Sequence, residues 1–117
     1  AAAASAVRQL ILHGSVGAGD SASAYADRNL SAGMARLMAA KTAGENAVIE
    51  SGIRYTIIRN SHLLPHGTEP TGEARLYGDV TLTGAVTRAG LARLTAECIL
   101  AEPCLDKTFH AVDKTLR

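Results

Sequence analysis

Large aromatic side chains are almost missing from this sequence of 117 residues, which has no Trp, a single Phe and three Tyr. A core without big rings must be filled by the Ala, Leu, Ile and Val that bring the hydrophobic content to 47%, a composition suited to tightly packed helices on a sheet. Charge of one sign is not in excess. Twelve basic and eleven acidic residues are mixed along the chain for a net charge of +1, which leaves no electrostatic footprint for nucleic acid or an anionic membrane. Long apolar runs are absent too: none approaches the roughly twenty residues needed to span a bilayer. The opening Ala1–Ala6 lacks the basic n-region and longer apolar stretch of a signal peptide, so a cytoplasmic location is expected. Only two cysteines are present, Cys98 and Cys104. They have no metal-ligand spacing and read as reduced thiols, a disulfide being the lesser alternative. His13, His62, His66 and His110 form no zinc spacing either, and no metal site is expected. At this length the chain can bury one ordinary core, about two-thirds of its unfolded surface, so a single unit over 1–117 is expected.

What is present reads as alternating strand and helix. Val7–His13, with Leu10, Ile11 and Leu12 in succession, has the pattern of a strand buried on both faces and opens into the glycine-rich Gly14–Gly19. Asp20–Ser31 is an irregular loop or a short helix. Gly33–Ser51 is helical by period, closed by Gly52 as a left-handed cap. Ile53–Arg59 is a second strand, rich in β-branched residues. Strand, helix, strand in this order predicts a parallel crossover unit. Asn60–Gly78, with Pro65, Pro70, Gly67 and Gly72, reads as an extended loop over the carboxyl edge of the sheet, followed by a short strand at Asp79–Leu82. Thr87 is a good N-cap for a helix from Arg88 to Ala101 that Glu102-Pro103 would stop, and Thr108–Val112 is a final strand.

The first helix carries an anomaly. On a wheel of about one hundred degrees per residue, Met34, Leu37, Met38, Val48 and Ile49 fall on one arc with Lys41 and Glu45 at its centre. Burying an ammonium costs several kcal/mol unless something pairs with it, so a charged pair aimed inward demands a structural partner or a ligand. The plainer alternative is that Lys41 snorkels to the rim while Glu45 caps a neighbouring backbone N–H. In an open α/β sheet, ligands bind beyond the carboxyl ends of the strands, here His13–Gly19 and Asn60–His66. Ser15 offers a hydroxyl among glycines, and Asn60, Ser61 and His62 offer donors and acceptors after the second strand. The Gly14–Gly19 stretch is neither a Walker loop, having no Lys-Ser/Thr ending, nor a G-x-G-x-x-G turn.

Taken in order, Leu10-Ile11-Leu12-His13-Gly14-Ser15, Lys41 with Glu45, Ser51-Gly52-Ile53-Arg54-Tyr55-Thr56-Ile57-Ile58-Arg59 and Val86-Thr87-Arg88-Ala89-Gly90-Leu91-Ala92 resemble the second half of an atypical short-chain dehydrogenase/reductase. The flavour is that of the NmrA-like and NAD(P)H-binding group, which includes flavin and biliverdin reductase-like proteins. The resemblance implies an α/β fold, part of a Rossmann-like doubly wound parallel sheet, with residues 1–117 as the C-terminal portion of an NAD(P)-binding domain. It implies NADP or NAD as cofactor, contacts from Gly14, Ser15, Lys41, Asn60, Ser61 and His62, and Ser15 and Lys41 as the catalytic pair. Two departures stand out. The superfamily's Tyr-x-x-x-Lys has Leu37 in the tyrosine's place, and leucine cannot donate a proton. Asn60 stands where the family's proline follows the strand's Arg.

The family's glycine-rich strand–turn–helix, which holds the pyrophosphate at a helix N-terminus, has no counterpart in these residues. That implies a complementary chain, a missing N-terminal half, or a different purpose for the half-sheet; a homo-oligomer could also cover the exposed strand edge. Three functions follow: a portion of an NAD(P)H-dependent oxidoreductase passing hydride to a small-molecule acceptor, a non-catalytic dinucleotide-sensing regulator, or a structural and assembly module. Neither nucleic acid nor membrane is an expected partner.

Overall fold

A computed structural model describes residues 6–25 and 30–116. Among these residues, six strands and two α-helices follow one another as β1 (Leu10–Ser15), α1 (Ala32–Glu50), β2 (Tyr55–Asn60), β3 (His62–Leu63), β4 (Arg75–Tyr77), β5 (Ala85–Val86), α2 (Arg88–Cys98) and β6 (Lys107–Val112). Short 3-10 helices occupy Gly19–Tyr25 and Glu102–Cys104. The main sheet has the order β1-β2-β6-β4, its first three strands parallel and β4 antiparallel to β6. This is the expected Rossmann-like half-sheet, with β1 at an edge. A two-stranded parallel sheet, β3 with β5, stands beside it.

Side-chain caps start both helices, but α1 begins at Ala32 rather than Gly33 and α2 ends at Cys98 rather than Ala101. Ser31 caps α1 by accepting from the Met34 N–H at 3.0 Å, and Thr87 caps α2 by accepting from Gly90 N–H at 2.9 Å. Gly52 takes a φ of 79° just after α1, as a left-handed cap requires. Alternation along β2 sends neighbouring side chains to opposite faces of the sheet. Arg59 turns to Glu45 of α1, while Ile58 joins Leu91, Leu94, Val86 and Ala111 in the core under α2.

Several expectations need correction. β1 starts at Leu10 rather than Val7 and runs on through Gly14 and Ser15, because its partner β2 continues to Asn60. The long loop after β2 contains β3 and β4, which earn their hydrogen bonds from distant strands rather than from local preference. No strand forms at Asp79–Leu82. There the Asp79 carboxylate accepts from the Thr81 N–H at 2.9 Å and its hydroxyl at 2.6 Å, which folds the backbone into a turn. The arc on α1 is also drawn differently: Met34, Leu37 and Ile49 are 42%, 46% and 47% exposed, whereas Glu45 is buried. Finally, Cys98 and Cys104 form a disulfide rather than reduced thiols, because the 3-10 turn at Pro103 brings their Cα atoms to 5.5 Å. The irregular or helical alternative for Asp20–Ser31 resolves as a 3-10 helix to Tyr25; positions 26–29 lie outside the described residues. No helix among the described residues is long and apolar enough to cross a membrane.

Candidate functional site

Parallel pairing of β1 with β2 sets Ser15 beside Asn60 at the carboxyl ends of the two strands. The chain leaves β2 through Ser61 and enters β3, where His62 pairs with Ala85. A cavity of about 690 Å³ opens at these strand tips. Ser15, Val16, Asn60, Ser61 and His62 line it together with Tyr25, Met34, Leu37 and Met38. Four of the six residues expected to contact a cofactor, Ser15, Asn60, Ser61 and His62, therefore meet in one cavity. Gly14 and Lys41 are not among its lining residues.

Each of these groups is differently committed. The Ser61 hydroxyl donates to the Ala111 carbonyl at 2.7 Å, which ties the end of β2 to β6. The Asn60 Oδ1 is buried and has no hydrogen-bond donor among the described residues. An unmet buried amide oxygen costs about 1–3 kcal/mol, so this atom is a natural seat for a ligand N–H. Lys41 is half-buried, one helical turn beyond Leu37, and makes no ion pair among the described residues. Gly14 faces the other way: a Cβ there would lie 3.2 Å from Glu45 Oε2, so its bare backbone makes room for that carboxylate.

Glu45 has the partner that the helix pattern demanded. Its carboxylate accepts two hydrogen bonds from Arg59, at 2.9 Å from Nε and 2.8 Å from Nη2, with both side chains only 4% exposed. Arg59 also reaches Asp20 at 2.7 Å. Burial opposes the guanidinium charge, but hydrogen bonds and attraction from Glu45 and Asp20 outweigh it and hold the Arg59 pKa above its ordinary value. Sequence reasoning missed Arg59, although an arginine directly after Ile57 and Ile58 in a buried strand was the available signal. It also missed Tyr25, Met34 and Met38 as cavity wall.

His110 completes the cluster. Because a carbonyl only accepts, His110 Nδ1 carries the hydrogen given to Leu82 O at 2.9 Å, and Nε2 turns its lone pair toward Arg59 Nη1 at 3.4 Å. Burial lowers the His110 pKa, and the nearby Arg59 charge adds to the lowering. The unfolded imidazole gains a proton as pH falls below about 6.5, while the folded ring does not. Stability from this group is thus complete above that value, is lost as pH falls toward the ring's own lower pKa, and levels off beneath it. Urea melts between pH 7.5 and 5.5 should show a falling midpoint that His110→Gln flattens; identical slopes would refute the assignment.

A family model described as NAD(P)H-binding matches residues 1–102. No curated protein matches the chain. Among solved structures, ChuY from E. coli CFT073 is 26% identical over 92% of this chain and 57% of its own, with a TM-score of 0.80. ChuY from Escherichia coli O157:H7, named an anaerobillin reductase, is 26% identical over 95% of this chain and 52% of its own, with a TM-score of 0.80. A protein from Bacillus halodurans, named as an NAD-dependent epimerase/dehydratase, is 25% identical over 88% of this chain and 45% of its own, with a TM-score of 0.71. The chain thus spans about half the length of these structures.

Proposed function

This chain belongs to the NAD(P)H-binding family, and we propose that it forms the nicotinamide side of an NAD(P)H-dependent oxidoreductase that passes hydride to a small-molecule acceptor. The observation that carries this reading is the donorless Asn60 Oδ1 at a cavity built from the tips of two parallel strands. NADH or NADPH, when bound, supplies the hydride. Asn60 accepts an amide N–H, Ser15 hydrogen-bonds the carboxamide or the acceptor, and His62 and Ser61 line the same cavity. Lys41, one turn from Leu37 and free of an ion pair among the described residues, reaches the ribose. Leu37 lines the cavity where the superfamily's phenol would be, so these residues work by proximity and orientation rather than by proton transfer from α1.

β1 is an edge strand, with half-buried Leu10, Ile11 and Leu12. We place the pyrophosphate-holding, glycine-rich half of the site on that edge, supplied by sequence beyond these residues or by a second chain. The test is titration of NADPH and NADH into the chain joined to such a half. Saturable binding is expected, weakened about threefold to tenfold by Asn60→Leu through loss of one hydrogen bond, with stability equal or improved because the orphaned oxygen is gone. Absence of any binding to the joined protein removes the proposal. Leu37 also favours a second reading, a dinucleotide sensor; steady-state NADPH oxidation with a flavin or quinone acceptor would exclude it.

A further inference from the structure

We infer that Cys98 and Cys104 form a reversible redox site whose closed state fastens the root of the edge strand β1 through Gln9. The disulfide spans a sequence separation of only six, so it closes a small ring and restrains the unfolded chain less than a long-range link would. Its hydrogen-bond ties, by contrast, reach across the fold. Gln9, the residue before β1, donates from Nε2 to the Cys98 carbonyl at 3.0 Å and to Thr56 Oγ1 at 2.9 Å, and its Oε1 accepts from the Leu100 N–H at 2.7 Å. Thr56 Oγ1 in turn donates to the Cys104 carbonyl at 2.8 Å. Both cysteines are thus joined to the side chain that precedes the edge strand. The next residue, Leu10, makes that strand's first rung by donating its N–H to Arg54 O at 2.9 Å.

The segment between the cysteines is held rather than relaxed. Leu100 has a φ of 53°, a left-handed conformation that bulky side chains rarely adopt. Burial does not hold it there, because Ile99 and Leu100 are 61% and 44% exposed. What holds it is the link across the segment and the Gln9 acceptor on its N–H. Cys104 is 7% exposed against 0% for Cys98, so a dithiol reductant attacks at Cys104: one thiolate forms a mixed disulfide there, and Cys98 leaves as a thiolate that takes up a proton. The reductant's second thiolate then displaces Cys104, which is protonated in turn, and the reductant departs as its own disulfide, having given the chain two electrons and two protons. Leu100 is then free to return to the right-handed region, its N–H leaves Gln9 Oε1, and the root of β1 loosens. β1 is the edge on which the reading above places the glycine-rich half, and only that consequence for docking rests on it.

Dithiothreitol serves as the dithiol, added to the full chain in native buffer without dinucleotide. Alkylation should then add two labels by mass, one on each cysteine, with an unchanged far-ultraviolet circular dichroism spectrum. Amide hydrogen exchange at Leu100 and Leu10 should rise about fivefold, the scale of one hydrogen bond. Leu91, which donates to Thr87 O at 2.9 Å at the other end of α2, should not change. Reoxidation should restore the first two rates. Gln9→Ala should show the raised Leu10 rate with the disulfide closed, and reduction should add less than about twofold to it. Cys98→Ser with Cys104→Ser should show the reduced rates whether or not dithiothreitol is present. A disulfide that opens only in denaturant overturns the inference. So does reduction that leaves the Leu10 rate as it was or raises Leu91 equally, or a full response to reduction in Gln9→Ala. NADPH titration of the joined protein is read separately: no binding there beside an intact redox response removes the oxidoreductase reading and leaves the redox site standing.

Discussion

Arg59→Met is expected to cost the fold about 3–5 kcal/mol, a large part of the stability of a domain this size. The loss comes from what is left behind. Glu45 sits 3% exposed and accepts both of its strong hydrogen bonds from Arg59, so the single change strands a carboxylate in a low-dielectric interior. Among the described residues no other cation pairs with Glu45, and the backbone is shaped around the pair: a Cβ on Gly19 would lie 2.6 Å from both Arg59 Nη2 and Glu45 Oε1. Replacing both partners, Glu45→Met with Arg59→Met, should return stability to within about 1 kcal/mol of the parent, since a buried ion pair and a packed apolar pair are often equal in net worth. Asp20 then loses its partner at little cost, being mostly exposed. Urea denaturation of the two variants checks this. A single variant as stable as the parent, or a double variant no better than the single, would show that the cluster is not a coupled pair.

The contrast between Glu45 and Lys41 explains how far the residues alone could be read. Helical period located α1, and the central position of both charges on its arc raised the right question. The wheel could not answer it, because Arg59 lies on a strand 14 residues away and a wheel holds no information about the facing element. The resemblance to a known fold, the parallel β1–α1–β2 unit, the Thr87 cap and the strand-tip location of Ser15, Asn60, Ser61 and His62 were all legible, since each depends on local pattern or on the order of elements. Pairs of two or three residues such as β3 and β5 were not, because their hydrogen bonds come from partners more than twenty residues distant. Tyr25 was passed over for the same reason: its place against Gly17 is set by a 3-10 helix whose ties run to Thr42 and Arg59. The disulfide depended on a turn at Pro103 that spacing alone does not reveal.

Lys41→Met should separate binding from stability as cleanly as Arg59→Met joins them. Lys41 is half-buried and makes no ion pair among the described residues, so no fixed carboxylate is left unpaired when its charge is removed. Removing that charge should leave the urea midpoint unchanged or raise it slightly, and methionine keeps the stem's apolar contacts. A charge-assisted hydrogen bond to a ribose hydroxyl is worth about 1.5–3 kcal/mol. In the chain joined to its glycine-rich half, NADPH affinity should therefore fall about tenfold to a hundredfold. Lys41→Arg should recover only part of it, because a planar fork on a shorter aliphatic stem does not reproduce the point donor of an ammonium. Marked loss of stability in Lys41→Met would instead assign the lysine to holding the helix on the sheet, and unchanged NADPH affinity would take it out of the site.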